Sequence, residues 1–378
     1  MKKCIIISDS FKGTLSTFEI INLFKEGTKE IFPECEVVGF PIADGGEGTM
    51  EAFASSLVGE KITIDSVDSN NSPIKATYFI SNNVAYMDVA TCIYLVSTKI
   101  KNPFITTSYG VGLMIKDAII KGCRKIIIGL GGSSTNDGGA GLLSALGVKF
   151  FNEENKEFVP TGRTLDQIIS INTSELDRLI NNVEIIGMCD VSNPLLFENG
   201  ASRIYAKQKG ATEEETFILD KKMNAYHNII LKHGYKDYSS FNGAGAAGGI
   251  GYSIITLLHG KLEKGIKVLL EALNFENKLK DVDVIFTGEG NVDFQTLNGK
   301  VVDGIREVAS LHKIPVVVIA GGADLNTEEM IKDPIKAIVT TTRKPMEFSK
   351  LKPYSKEFYL STIRNTLRLI KLGMEINK

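Results

Sequence analysis

Near the start of the chain, the apolar positions form two kinds of pattern, short continuous runs and residues at helical spacing. The apolar run in "CIIISDS" (residues 4–10) predicts a buried strand, and "EVVGFPIA" (36–43) predicts a second one. Between them, "STFEIINLFKEGTKEIF" has apolar residues at helical spacing, among them Ile20, Ile21 and Phe24. A second helical stretch, "GTMEAFASSL", follows at 48–57. This β-α-β-α pattern is typical of a parallel sheet covered by helices.

The middle of the chain has a different pattern. "KITIDSVD", "KATYFIS" and "VAYMDVA", separated by turn-forming stretches, predict an antiparallel meander over about residues 61–95. Helix–strand alternation then resumes. The last third again alternates apolar strand runs with helices, as the first 57 residues do, and it ends in a helix. We therefore expect an α/β protein of two domains. Residues 1–60 and 281–378 would form a flavodoxin- or Rossmann-like parallel-sheet domain, and residues 61–280 an inserted mixed α/β domain.

Composition narrows the function classes. The 378 residues are 43% hydrophobic and carry a formal net charge of -2, so no basic field favours nucleic acid or an anionic membrane. The apolar runs are too short to span a bilayer, and the N-terminal run is too short for a signal peptide. The five cysteines are scattered and the four histidines lack metal-ligand spacing. We expect reduced thiols and a cytoplasmic protein.

Five apolar runs each lead into a polar loop rich in Gly, Ser, Asn and Asp. Ligands of open α/β sheets bind beyond the carboxyl ends of the strands. Any one of these loops could be an ordinary turn, but five together favour a shared site. The loops are 9–13, 44–48, 131–141, 189–193 and 288–293.

The loop 131–141, "GGSSTNDGGAG", predicts an anion site. Its glycines let backbone N–H groups approach an anion, and the hydroxyls of Ser133, Ser134 and Thr135 add donors. Carboxylates beside a phosphate imply a divalent cation such as Mg²⁺. This combination suits phosphoryl transfer. The candidate acids are Asp44, Asp137, Asp190, Glu289 and Asp293.

A second glycine tract, "GAGAAGGIG" (243–251), contains G-x-G-x-x-G. The polar "KDYSSFN" before it argues against a dinucleotide site, which needs a preceding strand. An anion site and a tight helix–backbone contact both remain open. The chain has neither a P-loop lysine motif nor the protein-kinase signature set.

Several motifs, in their order and spacing, resemble those of the bacterial glycerate kinase family (type I, two-domain glycerate 2-kinase). They are "SDSFKGTLS", "PIADGGEGT", "GLGGSSTNDGGAGLLSALG", "CDVSNPL", "QKGA", "GAGAAGGIG" and "TGEGNVDFQTLNGK". The resemblance covers essentially the whole chain. It implies ATP-dependent phosphorylation of D-glycerate at the 2-hydroxyl, with the active site in the cleft between two α/β domains. The chain departs from the family pattern at Asn291, which removes a charge from a site loop, and at Asp88 and Val302, which we expect to affect packing.

Roles for the loop residues follow from this hypothesis. Asp190 would hold Mg²⁺ or accept the proton of the hydroxyl group, although a turn-capping Asp fits the same position. Lys12 would contact the substrate carboxylate or the transferred phosphate, and a solvated lysine fits equally well. The predicted catalytic residues are Asp190, Lys12 and Asp44, and the predicted metal ligands are Asp190 and Glu289. The predicted substrate-cleft residues are Ser10, Phe11, Glu289, Asp293 and Lys300.

The ATP phosphates are assigned to the first glycine loop, with 243–251 as the competing position. The predicted contacts are Gly131, Gly132, Ser133, Ser134, Thr135, Asp137 and Gly138. The expected partners are glycerate, ATP and Mg²⁺, and the sequence does not indicate an oligomeric state. Two other readings are a phosphosugar- or nucleotide-binding regulatory protein and a metal-dependent phosphoester hydrolase.

Overall fold

The computed structural model describes residues 1–42, 45–46, 48–293, 296, 301–344 and 346–376. The chain divides into two compact units, the first formed by Met1–Asp44 and Ile266–Lys378 and the second by Gly45–Gly265. Among the described helices, none is long and apolar enough to cross a membrane. The domain boundaries expected near residues 60 and 280 remain predictions.

The secondary-structure elements are numbered along the whole chain. The strands are β1 (Lys3–Ser8), β2 (Glu36–Pro41), β3 (Glu60–Val67), β4 (Pro73–Ser81), β5 (Val84–Asp88), β6 (Lys125–Gly129), β7 (Lys149–Phe151), β8 (Glu157–Phe158), β9 (Ser170–Asn172), β10 (Glu184–Met188), β11 (Lys261–Glu263), β12 (Val284–Val292), β13 (Val316–Ala323) and β14 (Ile335–Thr340). The helices are α1 (Thr17–Ile31), α2 (Thr49–Ser56), α3 (Ala90–Ile93), α4 (Tyr109–Ile120), α5 (Ala140–Ala145), α6 (Ser174–Leu179), α7 (Ala201–Tyr205), α8 (Glu213–Lys232), α9 (Ala246–Thr256), α10 (Gly265–Ala272), α11 (Phe275–Lys278), α12 (Val301–Leu311), α13 (Phe348–Leu351) and α14 (Ser355–Ile376). Short 3-10 helices cover Leu165–Gln167, Leu325–Met330 and Lys352–Tyr354.

A five-stranded sheet forms the centre of the first unit, in the order β2-β1-β12-β13-β14. All its neighbouring strands are parallel. Counted within the unit this is the order 2-1-3-4-5, which is that of flavodoxin-like folds. The order reverses at β1 and β12, and a ligand site is therefore expected beyond the carboxyl ends of these two strands.

Helix α1 shows how the sequence forms this unit. It begins at a capping box, in which Ser16 and Glu19 exchange side-chain-to-backbone hydrogen bonds. Its buried Phe24 packs in the core with the β12 residue Phe286, at a ring-centroid distance of 4.7 Å. On another side it approaches α14 so closely that a Cβ on Gly27 would lie 2.8 Å from Ile363 Cγ2.

A six-stranded mixed sheet forms the centre of the second unit, in the order β11-β10-β6-β5-β4-β3. The strands β3, β4 and β5 are antiparallel, so the predicted meander is confirmed. Beyond the meander, β5, β6, β10 and β11 are parallel. A separate antiparallel sheet, β8-β7-β9, has strands of only two or three residues, too short to give a clear sequence pattern. The predicted fold class, a parallel-sheet unit with an inserted mixed α/β unit, is confirmed.

Candidate active site

In the first unit, the loop after β1 lies directly beside β12. The backbone N–H of Asp9 donates a hydrogen bond to the carbonyl oxygen of Gly288 at 2.9 Å. A Cβ on Gly290 would lie 3.3 Å from the Cα of Phe11. The predicted loop 288–293 is strand as far as Val292, because its backbone continues to pair with β13, so the prediction of a loop there was wrong. The predicted loop 9–13 and this part of β12 are adjacent, at the point where the strand order reverses.

The three predicted residues after β1 differ in exposure. Lys12 is exposed and Ser10 is half-buried. Phe11 is only 4% exposed, and its ring lies 5.7 Å from the ring of Tyr359 in an edge-on contact. The Phe11 side chain therefore belongs to the hydrophobic core, and only Ser10 and Lys12 present side-chain polar groups at the surface.

Glu289 and Asp293, the predicted acids of β12 and of the loop after it, are less exposed than Lys12. Glu289 is buried within the strand. Asp293 is half-buried, and its carboxylate accepts a hydrogen bond from the backbone N–H of Thr296 at 3.1 Å. The predicted residues Lys300 and Asp44 lie outside the described residues.

In the second unit, a glycine pair packs against the start of the loop 131–141. The N–H of Gly131 donates to the carbonyl oxygen of Gly45 at 2.8 Å. A Cβ on Gly131 would lie 2.6 Å from the Cα of Gly46, and one on Gly45 would lie 3.0 Å from the carbonyl oxygen of Met188. Only glycine allows the backbones to approach this closely. The segment 45–46 and the ends of β6 and β10 therefore meet at one edge of the mixed sheet.

The loop 131–141 is accessible only where it begins. Gly132 is exposed and Gly131 half-buried, while Ser133 retains 6% exposure. Residues 134–138 are buried. The seven predicted phosphate contacts thus fall into an accessible group of two, Gly131 and Gly132, and a buried group of five.

Asp137 lies in the buried group and is surrounded by hydrogen-bond donors. Its carboxylate accepts bonds from the N–H and Oγ of Ser108 at 2.7 and 2.8 Å. It also accepts bonds from the N–H groups of Gly139 at 3.1 Å and Gly141 at 3.3 Å. Burial raises the pKa of Asp137, and these hydrogen bonds oppose the rise. Asp137 therefore joins the start of α5 to the residue before α4.

The second glycine tract packs behind this loop. The N–H of Gly138 donates to the carbonyl oxygen of Gly248 at 2.9 Å. A Cβ on Gly248, which has φ +68°, would lie 1.9 Å from the carbonyl oxygen of Thr135. A Cβ on Gly249 would lie 2.7 Å from the Cα of Gly138. The tract 243–251 is buried throughout, so of the two readings left open by the sequence the geometry favours the tight backbone contact.

Asp190 follows β10 and is exposed. Its Oδ1 accepts a hydrogen bond from the N–H of Gly265 at 2.9 Å. Further along the same loop, the hydroxyl of Tyr205 donates to Asn193 Oδ1 at 2.5 Å. The loop 189–193 is thus held from both sides, while its carboxylate stays at the surface.

Two residues without a predicted site role contact the glycine segments. Asp88, at the end of β5, accepts a hydrogen bond from the N–H of Gly48 at 3.2 Å. Lys209 is 2% exposed and donates to Ser133 Oγ at 3.0 Å. The sequence signals were weak: Asp88 stood out as a departure from the family pattern, and Lys209 belonged to the short motif "QKGA".

The residues present set limits on a metal site. Within the described part of the chain, no three Asp, Glu, His or Cys side chains are grouped so that they could hold a metal ion. Mg²⁺ bound together with a nucleotide needs only one or two carboxylates, because phosphates and water supply the other oxygens. Asp190 has an exposed carboxylate of this kind, one oxygen of which accepts the N–H of Gly265.

Each unit has a parallel sheet or parallel strands, with polar segments at the carboxyl ends of the strands, where ligands of α/β proteins bind, so the chain is an α/β protein of two units. A sequence model described as "Glycerate kinase family" matches residues 4–371. The glycerate kinase of Bacillus cereus is 38% identical over 99% of each chain. The glycerate 2-kinase of Escherichia coli is 38% identical over 84% of this chain and 85% of its own.

A solved structure agrees with these sequence matches. A crystal structure from Salmonella typhimurium LT2, provisionally named glycerate kinase 2, superimposes with a TM-score of 0.86 at 33% identity, covering 99% of each chain. The chain belongs to the glycerate kinase family. The predicted family and the predicted enzyme class, a phosphotransferase, are confirmed.

Proposed function

We propose that this enzyme transfers the γ-phosphoryl group of ATP to the 2-hydroxyl of D-glycerate, giving 2-phosphoglycerate and ADP. Family membership supports glycerate as the acceptor. The name of the E. coli relative, a glycerate 2-kinase at 38% identity, supports the 2-position. The structural observation that carries the proposal is the meeting of two glycine backbones at the strand ends, where Gly131 N–H bonds Gly45 O at 2.8 Å.

The ATP phosphates are proposed to contact Gly131, Gly132 and Ser133. Gly131 and Gly132 keep the accessible backbone of the loop, and Ser133 follows them directly. The Gly131 N–H already bonds Gly45 O, so the proposed backbone donor is the N–H of Gly132, which a phosphate oxygen can approach closely because glycine has no side chain. The predicted contacts Ser134, Thr135, Asp137 and Gly138 are buried, and their proposed role is to hold the accessible part in place. This assignment favours the first glycine loop over 243–251 for the nucleotide.

Ser10 and Lys12, at the switch point of the first unit, are the proposed contacts for the glycerate carboxylate. Further substrate contacts are proposed for Glu289, Asp293 and Lys300. Asp190 is the proposed base. The bond between the glycerate 2-oxygen and the γ-phosphorus forms as the γ-phosphorus–oxygen bond to ADP breaks, and the hydroxyl proton passes to Asp190.

The remaining proposed residues act with the nucleotide. Glu289 is the proposed carboxylate for Mg²⁺, with Mg²⁺ binding by Asp190 as the alternative to its role as the base, and Asp44 is a further proposed catalytic residue. Mg²⁺, when bound with ATP, offsets the negative charge of the phosphates.

The product assay tests this function directly. The purified protein is incubated with MgATP and D-glycerate, and the products are followed by ³¹P NMR, which separates 2-phosphoglycerate from 3-phosphoglycerate. We expect 2-phosphoglycerate and ADP in equal amounts. The 3-phosphate would contradict the position, and no phosphorylated glycerate would contradict the function.

A control without glycerate separates the alternatives. A phosphoester hydrolase would release inorganic phosphate from ATP in this control, and a regulatory binding protein would bind ATP without turnover in either reaction. A kinase should release little inorganic phosphate in this control, and should form ADP and phosphoglycerate only when glycerate is added.

A further inference from the structure

Lys209 is a buried lysine whose ammonium bonds a hydroxyl and a carbonyl oxygen. Its side chain is 2% exposed, and among the described residues it forms no ion pair within 4.0 Å. Its Nζ donates to Ser133 Oγ at 3.0 Å and to the carbonyl oxygen of Thr135 at 2.7 Å. Lysine is rarely buried unless its charge is paired, so this position calls for a physical explanation.

The loop around the Lys209 ammonium contains further polar groups that are not satisfied. The Oγ of Ser134, the Oγ1 of Thr135 and the Oδ1 of Asn136 are buried and have no hydrogen-bond partner within the described part of the chain. An ammonium has three N–H donors, and two are used here. Buried polar groups are nearly always hydrogen-bonded in folded proteins, so three such groups in the loop that Lys209 contacts need a physical explanation.

The segment that carries Lys209 also touches both proposed site loops. In α7, Ser202 Oγ accepts a hydrogen bond from Asn136 Nδ2 at 2.9 Å. The hydroxyl of Tyr205 bonds Asn193 in the loop after β10. Lys209 is therefore part of a short stretch, 202–209, that fixes the loops after β6 and β10 relative to each other.

We propose that Lys209 is a positioning residue for the nucleotide. Its ammonium holds Ser133 and Thr135, so that the accessible backbone N–H of Gly132 is set for a phosphate, and its charge lies behind that backbone, shielded from water. This inference rests on the proposed function, because it assumes that the loop 131–141 binds the ATP phosphates.

The protonation of Lys209 provides an additional readout. Burial lowers its pKa to about 7, and the charge of Asp137, the charged neighbour that acts on it, opposes this shift. A phosphate on the loop would favour the charged ammonium. Binding of ATP at about pH 8, where ATP itself is fully ionised, should therefore be accompanied by proton uptake at Lys209.

The experiment compares Lys209→Met and Lys209→Arg with wild type, and Lys207→Met is the matched control. Lys207 lies two positions away, is 58% exposed and pairs with Glu213 at 2.7 Å. ATP binding is measured by titration calorimetry, and KM is measured separately for ATP and for glycerate. We expect Lys209→Met to weaken ATP binding by about tenfold or more, with KM for glycerate within about twofold of wild type. Lys209→Arg should recover part of the loss, and Lys207→Met should match wild type.

Calorimetry of the wild type in Tris and in HEPES keeps the inference falsifiable even if the variants fail to fold. The difference in binding enthalpy between the two buffers gives the number of protons taken up with ATP. No uptake by the wild type, or unchanged ATP affinity in a folded Lys209→Met, would overturn the inference. If the wild type neither binds ATP nor phosphorylates glycerate, the proposed function itself is wrong.

Discussion

The carboxylate of Asp88 accepts a hydrogen bond from the backbone N–H of Met50 at 3.1 Å, although 38 positions separate the two residues. Asp88 ends β5, and Met50 lies in the first turn of α2, whose N-cap is Gly48 and makes no side-chain capping bond. A carboxylate from a strand thus takes the place of the missing cap. It joins the glycine segment before α2 to the sheet.

Replacement of Asp88 should release this helix end. Asp88→Ala is expected to lower the free energy of unfolding by about 1–2 kcal/mol, the usual cost of a lost cap, and Asp88→Asn by less, because its amide oxygen still accepts a hydrogen bond. Urea unfolding measures both. Asp65→Ala, at an 88% exposed side chain in β3, is the control and should stay within about 0.5 kcal/mol of wild type. Equal effects of the two alanine variants would contradict the capping role.

Asp190→Asn should affect turnover rather than folding. The carboxylate is exposed, so the amide is accommodated, but it cannot accept the hydroxyl proton. We expect kcat to fall by about 10²–10⁴, the usual contribution of a general base, with unchanged thermal unfolding. Asp65→Asn serves as the control. Turnover close to wild type would remove Asp190 from the chemistry.

Lys209 should make stability depend on pH. Burial lowers its folded-state pKa from 10.5 to about 7, so between these values the unfolded chain binds a proton that the folded chain does not. Stability therefore rises with pH in this window, by at most about 1.4 kcal/mol per pH unit for one proton. The free energy of unfolding of wild type and of Lys209→Met is measured by urea unfolding at several pH values from neutral to alkaline. The wild type should gain stability relative to the variant, and a constant difference would contradict the lowered pKa.

Gly248→Ala should be strongly destabilising. Its φ is +68°, and the added Cβ would lie 1.9 Å from the Thr135 carbonyl oxygen. The matched control is Gly234→Ala, where φ is +87° and nothing lies within 4 Å of the added Cβ. The control should cost about 1–2 kcal/mol for the left-handed backbone, and Gly248→Ala about 1–3 kcal/mol more for the contact. Similar losses of unfolding free energy in both variants would argue against tight packing behind the loop.

Removal of divalent cations should abolish phosphoryl transfer. We expect no turnover in excess EDTA and recovery when Mg²⁺ or Mn²⁺ is restored, because the ATP phosphates and the nearby carboxylates repel each other without a cation. The coupled formation of ADP and phosphoglycerate is the measurement. Thermal unfolding in EDTA controls for structural damage. Full turnover in EDTA would contradict the role of the metal.

Much of the fold could be predicted from local pattern. The alternation of "CIIIS", α1 and "EVVGF" correctly indicated a parallel sheet, and the turn-separated segments of 61–95 correctly indicated the meander. The sheet β8-β7-β9 was missed, because strands of two or three residues have no measurable period. The parallel pairing of β5 with β6 was also not expected, because Tyr86 and Ile127 become partners only through the tertiary fold.

The sequence by itself determined the class of elements, the polar segments that follow the apolar runs, and the family, but it placed the end of β12 too early, since that strand continues to Val292. These depend on local periodicity and on motif order, which a linear pattern records. Tertiary structure decided which loop residues are accessible: Gly132 is exposed, whereas Asp137 is buried under bonds from Ser108. It also decided that Lys209 supports Ser133 from 76 positions away. Accessibility depends on what packs behind a loop, and the packing partners are distant in the chain, so local pattern cannot contain this information.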